Sequence, residues 1–200
     1  MDSQVIYGFS IILAYLAGSI SSSIIIARIL QLPDPRNLGS GNPGATNMLR
    51  TGNKKAAALT LTGDLLKGLI PLLIARGLGF DLLVLCLMGM AATIGHMYPV
   101  YYQFRGGKGV ATTIGVLLGI HWLLAIIWVA IWISTAKLTS YSSLAALVAT
   151  TLIPVIAYFM QQPAMVLYLT GGIAILVIWR HQTNIKNLLA GKESKIGKKK

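Results

Sequence analysis

Residues 5–29 read VIYGFSIILAYLAGSISSSIIIARI, an almost unbroken apolar run whose one charge, Arg28, stands next to its end. A helix that crosses a bilayer needs about 20 mostly apolar residues, because lipid offers no hydrogen-bond partner to an open backbone. This run meets the requirement, and it decides the fold class. Met1-Asp2-Ser3-Gln4 ahead of it carries no positive charge. The run also exceeds the apolar stretch of a signal peptide, so it reads as a span and not as a cleaved leader. Six more apolar segments follow, at 56–75, 82–98, 110–120, 122–136, 144–159 and 164–179. The segment 110–120 is short and Gly-rich. It reads either as a half-buried, re-entrant helix or as the first part of one bent span reaching residue 136. The expectation is an all-α, polytopic integral membrane helix bundle of about seven spans, five to seven in range, forming a single domain over residues 1–200.

Composition points the same way. The 200 residues are 55% hydrophobic and 11% charged, with a mean hydropathy of +0.71. Soluble domains carry about 25% charged residues. Seventeen Lys and Arg stand against five Asp and Glu, a net charge of +12. In a soluble chain that excess suggests nucleic acid. Here the basic residues fall in gaps between apolar segments, which points to anionic head groups and phosphate ligands instead. The single cysteine, Cys86, lies inside an apolar run and has no partner for a disulfide or a metal.

The basic residues also set orientation. Arg36, Arg50, Lys54, Lys55, Arg105, Lys108, Lys137 and the lysines after Arg180 fall on one side of a seven-span arrangement, and Arg76 falls on the other. Positive charge marks the cytoplasmic side. The N-terminus is therefore expected outside and the C-terminus inside. Residues 191–200 read as a basic, flexible tail too polar to pack.

Three polar segments interrupt the apolar pattern. The first is Gly39-Ser40-Gly41-Asn42-Pro43-Gly44-Ala45-Thr46-Asn47, followed by Arg50. Its glycines permit turns in which successive N–H groups form an anion nest. Ser40, Asn42, Thr46 and Asn47 add neutral donors, and Arg50 adds a fork suited to phosphate. The spacing of Gly39, Gly41 and Gly44 imitates a dinucleotide-binding fingerprint. The required strand is missing, however, and Pro33 and Pro35 interrupt the approach. The second segment is Gly106-Gly107-Lys108-Gly109, just before a helix, which gathers a point charge and helical N–H groups at one spot. A P-loop would need Gly at 102 and Ser or Thr at 109, where this chain has Tyr102 and Gly109. The third is Arg180-His181-Gln182-Thr183-Asn184-Ile185. Helical spacing puts His181 and Asn184 on one face, and His181 suits a proton acceptor or an oxyanion donor. All three segments fall on the same side of the expected topology.

At these residues the chain resembles the bacterial acyl-phosphate:glycerol-3-phosphate acyltransferase family, and the resemblance covers essentially its whole length. The resemblance implies transfer of a fatty acyl group from acyl phosphate to the 1-hydroxyl of glycerol 3-phosphate, giving 1-acylglycerol 3-phosphate (lysophosphatidic acid) and phosphate, in phospholipid synthesis. It implies no metal and no organic cofactor. Lys108, His181 and Arg50 are then the catalytic candidates. Ser40, Gly41, Asn42, Gly44, Thr46, Asn47, Gly106, Gly107 and Asn184 are the substrate-binding ones. The implied partners are membrane lipids and the soluble enzyme that makes acyl phosphate, and nucleic acid is not among them. The implied location is the bacterial inner membrane, with the site at the cytoplasmic face. An acyl phosphate is already activated, so positioning and charge stabilisation suffice. Two groups qualify as the base, His181 and a phosphate oxygen of the substrate, and the expected absence of a cytoplasmic Glu with the scarcity of Asp favours the second. No His is followed by Asp five positions later, so the His-x4-Asp dyad of many other acyltransferases is absent.

Two other function classes fit the residues less well. A transporter of a phosphate compound places charges near the membrane midplane. Here only Asp64 and Lys67 qualify, while the Gly-rich segments sit at one edge. A non-catalytic subunit needs no such segments. Asp64 and Lys67, three apart on a helix, fit two readings equally: a buried structural pair and a support for the site.

Overall fold

The computed structural model describes residues 3–196, and these form helices and loops with no strand. Ten helices follow in order: α1 (Ser3–Gly18), α2 (Ser22–Ile29), α3 (Ala45–Arg50), α4 (Lys54–Gly77), α5 (Leu82–Met97), α6 (Val110–Ile120), α7 (Trp122–Thr139), α8 (Ser142–Phe159), α9 (Ala164–Arg180) and α10 (Gln182–Leu189). Each apolar segment of the sequence coincides with a helix. The first is broken: α1 and α2 meet at a 45° bend over residues 19–21. Four helices, α4, α5, α7 and α8, are long and apolar enough to cross a membrane singly. Six spans result if α1 with α2 and α9 with α10 each count as one.

Six lies within the five to seven expected from the sequence, and the difference from about seven rests on α6. Its 11 residues rise only about 16 Å, half the apolar thickness of a bilayer. It is also no part of a longer bent span, because His121 takes extended dihedrals (φ −154°, ψ 99°) and ends it. What α6 lacks in length it has in burial: Ala111, Thr112, Thr113, Gly115, Val116, Leu117, Gly119 and Ile120 are all buried. Gly115 and Gly119 let it lie directly on α4. A Cβ at Gly115 would strike the Leu65 carbonyl, and one at Gly119 would meet Leu72. At the far end, Arg76 of α4 donates to the Ile120 carbonyl at 2.9 Å. Asn53 and Asp81 begin α4 and α5 by accepting from the N–H groups of Ala56 and Val84 at 2.9 Å.

Large apolar side chains cover the outside of the bundle, among them Phe9, Leu83, Ile126, Tyr168 and Ile175. That surface is what lipid solvates, and it would be a liability in water. The bundle thus holds two half-depth features, the break in the first span and the short α6. Both open toward the end where the Gly-rich loops lie.

Candidate functional site

The first loop is built around Asn47. Its side-chain oxygen accepts from Ser40 N at 2.9 Å and from Ser40 Oγ at 3.2 Å. Its nitrogen donates to the carbonyls of Pro35 at 2.8 Å and Leu38 at 2.9 Å. Every hydrogen-bonding position of the amide is therefore spent on the loop, and Asn47 is buried. The turn it closes needs left-handed backbone at Gly39 (φ +55°) and Gly41 (φ +69°). At Gly39 a Cβ would also strike Asn47 Oδ1. The sequence marks Asn47 as a substrate donor; in the fold its amide holds the shape of the loop that carries Ser40, Gly41 and Asn42.

The second loop is pinned from two sides. Gly107 N donates to the His96 carbonyl at 3.0 Å. Arg180 donates to the carbonyls of Gly107 at 3.1 Å and Gly106 at 2.8 Å, with its guanidinium over the Tyr98 ring. The sequence names Arg180 within its motif without a role, and its contacts supply one: it fastens the loop to the end of α9. Lys108 then projects to Asn184, whose side-chain oxygen accepts from Lys108 Nζ at 2.5 Å.

The Asn184 nitrogen donates to Glu193 Oε1 at 2.7 Å, and Ser143 Oγ donates to the same oxygen at 2.8 Å. Sequence reading missed Glu193. The one available signal is that it is the only glutamate in the chain. It lies in the segment expected to be an unpacked tail. Instead, residues 192–196 turn back on the site: Ser194 O receives Arg50 at 3.5 Å, and Ile196 N donates to Ser140 O at 2.8 Å. Residues 197–200, with Lys198, Lys199 and Lys200, lie outside the described residues. Thr46 Oγ1 pairs with Ser142 Oγ at 3.3 Å and ties α3 to the start of α8.

His181 sits at the bend between α9 and α10, 2% exposed. Its Nδ1 lies 2.8 Å from the Val177 carbonyl, which makes Nδ1 the donor and leaves Nε2 with a free lone pair. Burial, reinforced by the charge of Lys108, pushes the pKa of this imidazole down to about 4. Burial likewise brings Lys108 down to about 8; the charges of Arg50 and Arg180 act in the same direction, and Glu193 opposes them. The site is a cluster of cations held close together with one carboxylate among them. Such a cluster lacks anionic charge and will take it from a ligand.

Two cavities meet at this cluster. A polar one of about 1210 Å³ is lined by Arg36, Ser40, Gly41, Asn42, Arg50, Arg105, Gly106 and Arg180. The other, of about 590 Å³, runs among the helices past Leu61, Leu65, Ile114, Trp128, Trp132 and Ala146, with His181 in its wall. Ser40, Asn42, Arg50, Lys108, Asn184 and Glu193 border both. Of the residues singled out from the sequence, Gly44, Thr46 and Asn47 face the second cavity. Gly107 borders neither and lies beneath Lys108, against the His96 ring. The three distant segments thus converge on one place.

Known proteins resemble this chain in sequence and in fold. The model of the family described as glycerol-3-phosphate acyltransferase matches residues 8–191. The glycerol-3-phosphate acyltransferase of Thioalkalivibrio sulfidiphilus (strain HL-EbGR7) is 50% identical over 188 residues, 93% of this chain and 92% of that one. Its counterpart in Neisseria gonorrhoeae (strain NCCP11945) is 49% identical over 195 residues, 96% of this chain and 98% of that one. The crystal structure of PlsY (YgiH), an integral membrane glycerol 3-phosphate acyltransferase, superposes in its glycerol 3-phosphate form with a TM-score of 0.90, at 42% identity and 96% coverage of both chains. Its lysophosphatidic acid form superposes with a TM-score of 0.88, at 41% identity. With this much shared over nearly its full length, the chain belongs to the glycerol-3-phosphate acyltransferase family, a family of acyltransferases embedded in the membrane.

Proposed function

We propose that this acyltransferase takes its acyl group from an acyl phosphate and passes it to the 1-hydroxyl of glycerol 3-phosphate, releasing lysophosphatidic acid and inorganic phosphate as a step of phospholipid synthesis. One observation carries the reading: a cationic cavity and an apolar cavity share the wall made by Arg50, Lys108 and Asn184. A water-soluble phosphate ester suits the first and a fatty chain the second, so the reacting atoms meet at the shared wall.

In the step itself, the 1-hydroxyl oxygen bonds to the acyl carbonyl carbon, and the bond from that carbon to the phosphate oxygen breaks. Lys108 and Arg50 neutralise the departing phosphate. No enzyme nucleophile is required, since the donor is already activated. His181 stays neutral at physiological pH and offers Nε2 to the attacking hydroxyl, which it orients. The proton passes to a phosphate oxygen of glycerol 3-phosphate. Glu193 does not take it, because its carboxylate is occupied by Asn184 and Ser143.

The basic loops that line the site also support an orientation in which this end faces the cytoplasm and the C-terminus lies inside. In that orientation the acyl chain arrives laterally from the inner leaflet, and the soluble enzyme that makes acyl phosphate meets this face. Purified protein given glycerol 3-phosphate and an acyl phosphate, with no other enzyme present, is expected to yield lysophosphatidic acid, with acyl-CoA serving poorly in its place. An acyl-CoA rate equal to that of acyl phosphate overturns the donor assignment. A reporter fused after Lys200 reads cytoplasmic, and an external signal reverses the orientation.

A further inference from the structure

Three buried ionisable side chains stand below the glycine loops: Asp64 and Lys67 on α4, and His96 on α5. Lys67 Nζ lies 2.9 Å from Asp64 Oδ1 and donates to the Ile20 carbonyl at 2.7 Å, at the break between α1 and α2. His96 Nδ1 lies 3.7 Å from the same Asp64 oxygen. Lys67 alone balances the charge of Asp64. It leaves unexplained why an imidazole is buried beside them, since a buried polar group needs a compensating role.

The other contacts of His96 supply that role. Its carbonyl receives Gly107 N at 3.0 Å. Its Nε2 lies so close to Gly107 that a Cβ there would strike it, and Gly106 stands equally tightly against the His96 carbonyl. The next residue is Lys108. On the other flank, Thr112 donates Oγ1 to the Asp64 carbonyl at 3.0 Å. The 106–112 segment therefore rests on Asp64 at both ends: one on its carboxylate, which faces the His96 ring at 3.7 Å, and one on its backbone carbonyl by way of Thr112. Lys67 joins the same group to the break from which α2 leads into the first glycine loop.

We propose that Asp64 is a positioning residue for acyl transfer. Through His96 and Thr112 it fixes the depth and tilt of the loop that presents Lys108, and through Lys67 it holds that loop in register with the first. Its action is on the grip for the phosphate group in the polar cavity, and in this it rests on the substrate reading above. The oxygen that faces Lys67 and His96 is buried. Asp64 and His96 also border the apolar cavity, and the contacts above are what tie Asp64 to the loop.

Asp64→Asn keeps the shape and removes the charge that holds His96 and Lys67. Thr112→Val keeps the shape and removes the second strut. Misplacement of a holding group by a fraction of an ångström weakens it strongly. The KM for glycerol 3-phosphate is expected to rise at least about tenfold in Asp64→Asn and about threefold in Thr112→Val, with kcat within about threefold of wild type. Loss of folded protein lowers kcat in proportion and leaves KM alone, so this split separates positioning from stability. Wild-type KM in both variants overturns the proposal. Where Asp64→Asn yields no folded protein, His96→Gln, which removes the ring facing the carboxylate, takes its place, and wild-type KM there overturns the proposal. If the wild-type protein transfers no acyl group to glycerol 3-phosphate, the substrate reading fails by itself. Calorimetric binding of inorganic phosphate to the folded variant of the two then decides positioning: weaker binding supports it, and unchanged binding overturns it.

Discussion

Lys108 Nζ and Asn184 Oδ1 meet at 2.5 Å across 76 residues of sequence, and this bond joins the second and third polar segments into one surface. It also sets the amide: with its oxygen on Lys108, the Asn184 nitrogen faces Glu193. Each group in the row fixes the next, so the cation points into the shared wall of the two cavities before any ligand arrives.

Lys108→Ala and Arg50→Ala each remove one of the cations proposed to meet the phosphates. Loss of a single preorganised electrostatic contact costs about 100- to 1000-fold in rate. Each variant is expected to lose at least about 100-fold in kcat/KM while eluting as a folded protein. A wild-type rate from either would take that residue out of the site.

The pH response separates His181 from Lys108. With its pKa pushed down to about 4, His181 stays neutral well below neutral pH, and its own titration leaves activity intact from pH 8 to pH 6. Lys108 loses its charge as pH rises through about 8. The phosphate ester is already fully ionised there, since its second pKa is about 6. Above pH 8 the kcat/KM for glycerol 3-phosphate should therefore fall, and Lys108→Arg should carry that fall to higher pH. A fall that stays in place assigns it to another group. The same shift acts on stability: Lys108 is depressed from 10.5, so its contribution is fully present above 10.5 and is lost as pH falls through about 8. At neutral pH the folded protein carries a buried cation that an anionic ligand relieves. Inorganic phosphate should accordingly raise the melting temperature more at neutral pH than well above pH 8.

Glu193 closes the row from the opposite direction. Its carboxylate accepts from both Asn184 and Ser143. A hydrogen bond to a charged group contributes about 1.5–3 kcal/mol. Glu193→Ala should destabilise the protein by about 3 kcal/mol and free the Asn184 amide, lowering both melting temperature and activity. Glu193→Gln keeps an acceptor and should retain most of the stability. Equal melting temperatures for the Ala variant and wild type would show that the returning C-terminal segment bears no load.

Asn47→Asp tests the first loop. The substitution turns two donors into an acceptor facing the carbonyls of Pro35 and Leu38. An unmet buried acceptor costs about 1–3 kcal/mol. The loop should loosen, and KM should rise about tenfold, even though Asn47 itself has no donor to spare for a ligand. A kinetic profile like that of wild type would show that the Asn47 contacts do not shape the loop for substrate.

Much of this was legible in the residues themselves. Hydropathy located the segments that carry eight of the ten helices, while the short α3 and α10 lie in polar stretches; the interruptions rich in Gly, Asn and charge located the candidate site, because lipid tolerates neither open turns nor charge without purpose. The failures have physical causes. The break after Gly18 falls within a run of Ser and Ile that is apolar enough to read as continuous helix. It becomes visible only once Lys67, on another helix, is seen bonded to Ile20 O. Asn47 looks like its neighbours in sequence, and only its four contacts show that it builds the loop. Glu193 lies in a polar, aperiodic stretch, and its partners come from Asn184 and Ser143, the second of them 50 residues distant.

The brevity of α6 has a further consequence. Thr112, at its start, lies level with Asp64, ten residues along α4 from Lys54, or about 15 Å down that helix. The loop that presents Lys108 is therefore set into the bundle, and only the packed length of α6 lies beyond it. Leu72, Val116, Leu117 and Leu124, all buried, fill that length. The barrier against ion leakage at this point is about 16 Å of packed side chains, and thinning it, as in Leu117→Ala, should show as proton flux across liposomes that hold the protein.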